Sequence, residues 1–152
     1  MAAAAARAGG ADLVVVSGRN EKLRRKIAAL KAPRGVRLVP LGFVTNMHEI
    51  TAVVDLMISK PGGLTSSECL ARRLPMLIVD PIPGQEERNA TYLLEAGAAW
   101  QASTLDSLDF KLGRLLAEPK HLAAMRRAAG RLARPRACFE IASALAGAPV
   151  SG

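Results

Sequence analysis

The chain has 152 residues, 50% apolar and 22% charged. That is an ordinary globular balance for one domain, and it excludes long disorder, collagen and a coiled coil. Lys and Arg number 21 against 13 Asp and Glu, a net charge of +8 that suits an anionic partner. Three Phe, one Trp and one Tyr are too few for a single-stranded nucleic-acid platform of stacked rings, so nucleic acid is not an expected partner.

Along the chain, Ala2–Ala8 reads as the end of a helix halted by Gly9-Gly10. Leu13–Val16 is a continuous β-branched run, expected to be a strand buried on both faces. Asn20 caps a helix whose Leu23, Ile27 and Leu30 recur at helical spacing, and Pro33-Arg34-Gly35 ends it. A second strand is expected at Val36–Leu41, then a short helix Met47–Val53 capped by Thr45 or Asn46, then a third strand Val54–Ser59. Lys60–Glu68 is a glycine turn feeding a helix to about Arg72, and Pro75–Asp80 is a fourth strand. The rigid loop Pro81-Ile82-Pro83-Gly84 precedes a helix Gln85–Ala96 ended by Gly97, and Ala98–Gln101 makes a short last strand. From Ser107 the leucines recur at helical spacing until Pro135, and a last helix covers about Arg136–Ala146.

This strand–helix alternation predicts an α/β fold: a Rossmann-like parallel sheet of four to five strands, with right-handed crossovers and helices on both faces. The expected organisation is a helix remnant at 1–10, one domain at 11–146 and a tail at 147–152. Cys69 and Cys138 lack metal-ligand spacing and read as reduced packing residues of a cytosolic protein. No apolar run is long enough for a membrane span, and the opening Met-Ala-Ala-Ala-Ala-Ala-Arg lacks the basic leader of a signal peptide. The expected location is cytoplasmic, with any membrane contact peripheral and at the inner face.

In an open parallel sheet, ligands bind outside the carboxyl ends of the strands. Four unusual loops lie at that edge: Ser17–Asn20, Gly42-Phe43-Val44, Lys60–Glu68 and Pro81–Asn89. In the third, Gly62 and Gly63 allow positive φ, so that backbone N–H groups converge on an anion at the start of a helix. Thr65 or Ser66 adds a hydroxyl and Lys60 a positive charge, while the Glu68 carboxylate suits a diol such as ribose. A plain glycine turn before a capped helix would look the same. In the fourth loop, the Gln85 amide and Glu86 carboxylate match the hydroxyls of a hexose, with Asn89 one turn along. Taken alone, that loop also fits an acidic N-terminal cap. Phe43 could cover a base or sit in the core, and His48 and His121 read as surface residues. No zinc spacing, no Ser-His-Asp set and no Walker motif is present, so neither a catalytic base nor a metal site is expected. Lys111–Arg136 carries eight basic residues and one acid, Glu118, and reads as a solvated face or an attraction to anionic lipid headgroups.

Gly18-Arg19-Asn20, Leu41-Gly42-Phe43-Val44, Asp55-Leu56-Met57-Ile58-Ser59-Lys60-Pro61-Gly62-Gly63-Leu64-Thr65 through Glu68, and Pro83-Gly84-Gln85-Glu86 with Asn89 occur in this order. As a set they resemble the C-terminal half of family 28 glycosyltransferases of the GT-B fold, over about residues 11–146. The diacylglycerol glucosyl- and galactosyltransferase type (monogalactosyldiacylglycerol synthase type) looks nearest. The resemblance implies a donor site for a UDP-sugar, to which Gly18 and Asn20 also belong. Phe43 and Val44 would line the uracil pocket, Gly63, Leu64 and Thr65 would hold the diphosphate, and Gly62 belongs to the donor site as well. Glu68 would hold the ribose, and Gln85, Glu86 and Asn89 the sugar. It further implies inversion without a metal or other cofactor, with Lys60 and the helix dipole stabilising departing UDP. The acceptor, a lipid, and the catalytic base would belong to an N-terminal domain that this chain lacks, along with the first strand of the sheet. Three readings follow: the donor half of a lipid hexosyltransferase, a truncated nucleotide-binding module that needs a separate partner chain for turnover, and a structural remnant.

Overall fold

The computed structural model describes residues 10–147. The expected helix end at Ala2–Ala8 and tail residues 148–152 lie outside the described residues. Strands β1 (Ala11–Val16) and β2 (Val36–Leu41) pair in parallel, in register from Ala11 opposite Val36 to Val16 opposite Leu41. Strands β3 (Met57–Ser59), β4 (Met76–Val79) and β5 (Ala99–Ala102) form a second parallel ladder in that order. The helices between them are α1 (Glu21–Ala28), α2 (Met47–Val53), α3 (Gly63–Ala71) and α4 (Gln85–Glu95). Helices α5 (Leu105–Ala117), α6 (Pro119–Leu132) and α7 (Ala137–Leu145) follow β5. Among the described residues the strands therefore fall into two ladders, β1-β2 and β3-β4-β5, each parallel and each in chain order.

The core surrounds β4. Side chains alternate across a strand, so Met76 and Ile78 join Cys69, Leu74, Ala90, Leu93 and Ala129 on one face. Leu77 points the other way, into Leu108, Leu112 and Leu115 of α5 and Met125 of α6. A strand flanked by strands and covered on both faces needs an unbroken apolar run, which Met76–Val79 supplies.

β1 departs from the expectation that it is buried on both faces. Asp12, Val14 and Val16 lie on one face; the two valines are each 37% exposed, and Asp12 pairs across the ladder with Arg37. Among the described residues β1 has a strand neighbour on one side only. A hydrophobic run records what a strand prefers to bury, and the neighbours decide what it does bury. β3 is also shorter than expected: it pairs with β4 only over Met57–Ser59, and Asp55 ahead of it is exposed and pairs with Arg126 of α6.

Helix ends follow local chemistry. Asn20 caps α1 as expected, its Oδ1 accepting from Leu23 N at 2.9 Å. Asn46 stands at the α2 cap, but its amide donates to the Glu49 carboxylate and its side chain accepts nothing from the backbone. Thr104 Oγ1 accepts from Ser107 N at 3.1 Å, which starts α5 at Leu105, ahead of the expected Ser107. Pro119, tolerated at a first helical position, separates α5 from α6. Cys69 is buried as expected, whereas Cys138 is exposed and does not pack. His121 is not a plain surface residue: its ring lies 5.1 Å from that of Trp100, and Nε2 is 3.2 Å from Glu118.

Candidate functional site: two loop pairs at the carboxyl ends of the strands

β3 ends at Ser59, and Lys60-Pro61-Gly62 carries the chain over to α3. Pro61 is buried beneath this turn, and Ser66 N closes the first helical bond to Gly62 O at 2.8 Å. Contrary to the expectation from sequence, neither Gly62 nor Gly63 adopts positive φ; Gly62 sits at φ −61°. Their use is space. A Cβ on Gly62 would lie 3.9 Å from Glu86 Oε1, and one on Gly63 would lie 3.9 Å from Gln85 Nε2. The bare backbone opening α3 is therefore overlain by the side chains opening α4. Asn89 adds a third tie, its Nδ2 donating to Pro61 O at 2.9 Å.

The loop before α4 is shaped to deliver those side chains. Gly84 takes φ +98°, which a Cβ would oppose. Glu87 accepts from Gly84 N at 3.1 Å, and Glu86 Oε2 accepts from Ile82 N at 2.7 Å. Glu86 thus holds its own loop with one oxygen and faces Gly62 with the other. Lys60 Nζ lies 3.3 Å from Asp80 Oδ2, clasping the ends of β3 and β4. Asp80 itself has φ +43°, a left-handed conformation that Asp tolerates better than most residues.

On α3, Leu64 is exposed, Thr65 is half-buried, and the Glu68 carboxylate is exposed with no hydrogen bond or ion pair among the described residues. Beneath it, burial, and then the Glu68 charge, push the Cys69 thiol up to about 12. Ser66 Oγ is buried without a hydrogen-bond partner.

A second pair of loops meets at the ends of β1 and β2. Ser17 N and Oγ both donate to Leu41 O, at 2.9 and 2.8 Å. Gly18 turns at φ +56°, and a Cβ on Gly42 would lie 3.8 Å from Gly18 O. Phe43 is 62% exposed, so the core reading of this ring is not met; Arg19 stacks its guanidinium 5.3 Å from the ring centre. Val44 beside it is half-buried. Arg19 escaped the sequence-based set, because neither its charge nor its spacing says which ring it will meet. Asn20 is engaged as a cap through Oδ1, which leaves its Nδ2 without a partner among the described residues.

Chemically, the first turn of α3 presents unpaired N–H groups and a positive dipole end to an anion. Gln85 and Glu86 add an amide and a carboxylate beside it, and Phe43 an exposed ring. A cleft of about 690 Å³ opens at the carboxyl ends of β3–β5, lined in part by Ile58, Val79, Asp80 and Leu105. Among the described residues no group of three or more His, Cys, Asp or Glu could hold a metal ion.

The sequence signature of the glycosyltransferase family 28 C-terminal domain matches residues 2–139. The chain belongs to this family. It is 36% identical over 116 residues to a processive diacylglycerol beta-glucosyltransferase of Bacillus subtilis, covering 76% of this chain and 30% of that protein. The corresponding protein of Staphylococcus saprophyticus is 38% identical over 115 residues, 76% of this chain and 29% of the relative. The chain thus spans about a third of the length of these relatives. Among solved structures, Acinetobacter baumannii MurG aligns over 91% of this chain and 42% of its own, with a TM-score of 0.78 at 21% identity. The glycosyltransferase VinC, solved in complex with DTDP, aligns over 96% of this chain and 37% of its own, with a TM-score of 0.62 at 24% identity. The fold of this family 28 domain is therefore that of the C-terminal, Rossmann-like half of GT-B glycosyltransferases. Both ladders fall within it.

Proposed function

We propose that this domain is the UDP-sugar-binding half of an inverting, metal-independent hexosyltransferase acting on a lipid. One observation carries the reading. Gln85, Glu86 and Asn89 of α4 converge on Pro61-Gly62-Gly63 at the start of α3, so groups suited to sugar hydroxyls stand beside groups suited to a diphosphate. Phe43 and Val44 take the uracil, and Gly18 and Asn20 border it. Gly63, Leu64 and Thr65 take the diphosphate and Glu68 the ribose. Lys60 stands near the diphosphate, where Asp80 orients it. The names of the Bacillus and Staphylococcus relatives support a glucosyl donor and a diacylglycerol acceptor. VinC, which shares the fold, was solved with DTDP, and that nucleoside diphosphate supports the donor class.

Acceptor binding and proton removal are assigned to a separate domain, because the chain covers 30% of the Bacillus subtilis relative. The purified chain is expected to bind UDP, raising its Tm, without transferring hexose to diacylglycerol by itself. Calorimetry with UDP and with UDP-glucose tests donor binding. An intact fold that gives no heat with millimolar UDP would overturn the proposal. Among the described residues no helix is long and apolar enough to cross a membrane, and peripheral contact through Lys111–Arg136 is part of the same proposal.

A further inference from the structure

The opposite end of α3 carries a feature that the donor reading does not use. A cavity of about 590 Å³ is lined by Thr51 and Val54 near the end of α2, Arg72 and Arg73 at the end of α3, and Arg126 and Arg127 of α6. Four arginines on one cavity concentrate positive charge there, which favours an anion. Asp55 relieves one of them, Arg126, through an ion pair. Arg72, Arg73 and Arg127 have no acidic partner among the described residues.

Arg73 gives the second indication. It occupies the position after the α3 cap with φ +54°, donating N–H to Leu70 O at 3.0 Å, while Leu74 N donates to Cys69 O at 2.7 Å. That is a Schellman turn, in which the left-handed residue is ordinarily glycine. The same turn closes α4 with Gly97 at φ +74°, where Gly97 N donates to Leu94 O and Ala98 N to Leu93 O. The chain therefore ends one helix with the unstrained residue and the other with an arginine in a conformation that β-carbon sterics oppose. The Arg73 side chain then runs along α6 over Gly130, where an added Cβ would lie 3.3 Å from its Cδ and 3.4 Å from its Nε. Gly130 leaves the groove that lets this guanidinium lie against the helix carrying Arg126 and Arg127. The carbonyl end of α3 attracts cations weakly, but that field asks for no left-handed arginine and no glycine opposite it.

We infer that this arginine-lined cavity binds a phosphate group, whether free or carried as a lipid headgroup. It is distinct from the donor site: α3 has nine residues, so its two ends are about 13 Å apart. Planar guanidinium forks match phosphate oxygens in pairs, which single ammonium charges do not.

Arg73→Gly is the decisive variant, because it removes the guanidinium while supplying the residue the turn prefers. Its Tm is expected to equal or exceed that of the parent. Calorimetry with inorganic phosphate at low salt is expected to show binding to the parent, weakened by added salt and reduced about tenfold or more in Arg73→Gly and in Arg127→Gln. A parallel arm uses phosphatidylcholine vesicles with and without phosphatidic acid. Binding that needs phosphatidic acid and is lost in both variants assigns the phosphate to a headgroup; binding of free phosphate lost in both assigns it to a soluble anion. The inference is overturned if neither probe binds the parent, or if both variants bind as the parent does.

Discussion

The Asn89 amide donates to the carbonyl of Pro61 across 28 residues of chain, tying the helix that opens at Gln85 to the loop that opens α3. Because Gln85 and Glu86 overlie Gly63 and Gly62 from the same helix, this bond helps set how the two halves of the candidate donor site face each other. Asn89→Ala removes a half-buried hydrogen bond and leaves a carbonyl unpaired, a cost of about 1 kcal/mol. Thermal denaturation should show a Tm about 2–4 °C lower. UDP-glucose should lose affinity along with it, since the strut fails before any ligand arrives. An unchanged Tm would show that the bond contributes nothing to the loop.

Glu68 and Phe43 stand in the opposite situation. Both are exposed, and the Glu68 carboxylate bonds to nothing among the described residues. Their truncation should leave the Tm unchanged. By calorimetry, Glu68→Ala should weaken UDP by about 1–3 kcal/mol, the cost of a lost hydrogen bond to a charged group. Gln85→Ala should weaken UDP-glucose more than UDP, and equal losses would move Gln85 off the sugar.

Ser66 Oγ is buried on α3 with no hydrogen-bond partner. A buried unmet hydroxyl destabilises, and alanine is the better helix former. Ser66→Ala is therefore expected to raise the denaturation midpoint, by about 0.5–1.5 kcal/mol in stability. A lower midpoint would mean that the hydroxyl is satisfied after all.

Arg24, then Arg25, hold the Glu21 carboxyl at about 2, below its usual 4.5. A lowered folded pKa favours the native state at every pH above the unfolded value, and this contribution fades as pH falls from about 4.5 to about 2. Glu21→Gln should thus be less stable than the parent at neutral pH, with the difference closing across that window. Both side chains are solvated, so added salt should shrink the gap as well.

The two cysteines should separate cleanly. Cys69 is enclosed and its thiol is pushed up to about 12 by burial, whereas Cys138 is exposed on α7. Because the thiolate is the reactive form, iodoacetamide at mildly alkaline pH should modify the native protein at Cys138 alone. Denaturant should add Cys69, and intact-mass spectrometry counts both.

Much of this domain was legible in the chain itself. Leu108, Leu112 and Leu115 announced a helix, and Pro75–Asp80 announced a strand; that the helix covers one face of that strand came only with the packing. Capping by Asn20 and the stop at Gly97 follow from local rules. The rim of loops was legible too, since Gly62, Gly63, Gly84 and the prolines mark turns wherever they stand. The torsion expected of Gly62 and Gly63 was mistaken, because a glycine permits positive φ without requiring it.

The sequence by itself determined the order and type of the elements, the family, and which residues stand at the carboxyl ends of the strands. These depend on periodicity and turn chemistry, which act over a few residues. Only the tertiary structure decided that Val14 and Val16 face outward, that Lys60 meets Asp80, that Arg19 covers Phe43, and that Arg73 shares a cavity with Arg126 and Arg127. Each of these is a choice of partner across a long stretch of chain. A residue's own chemistry makes such a pairing favourable with many groups, and only the packed backbone selects one.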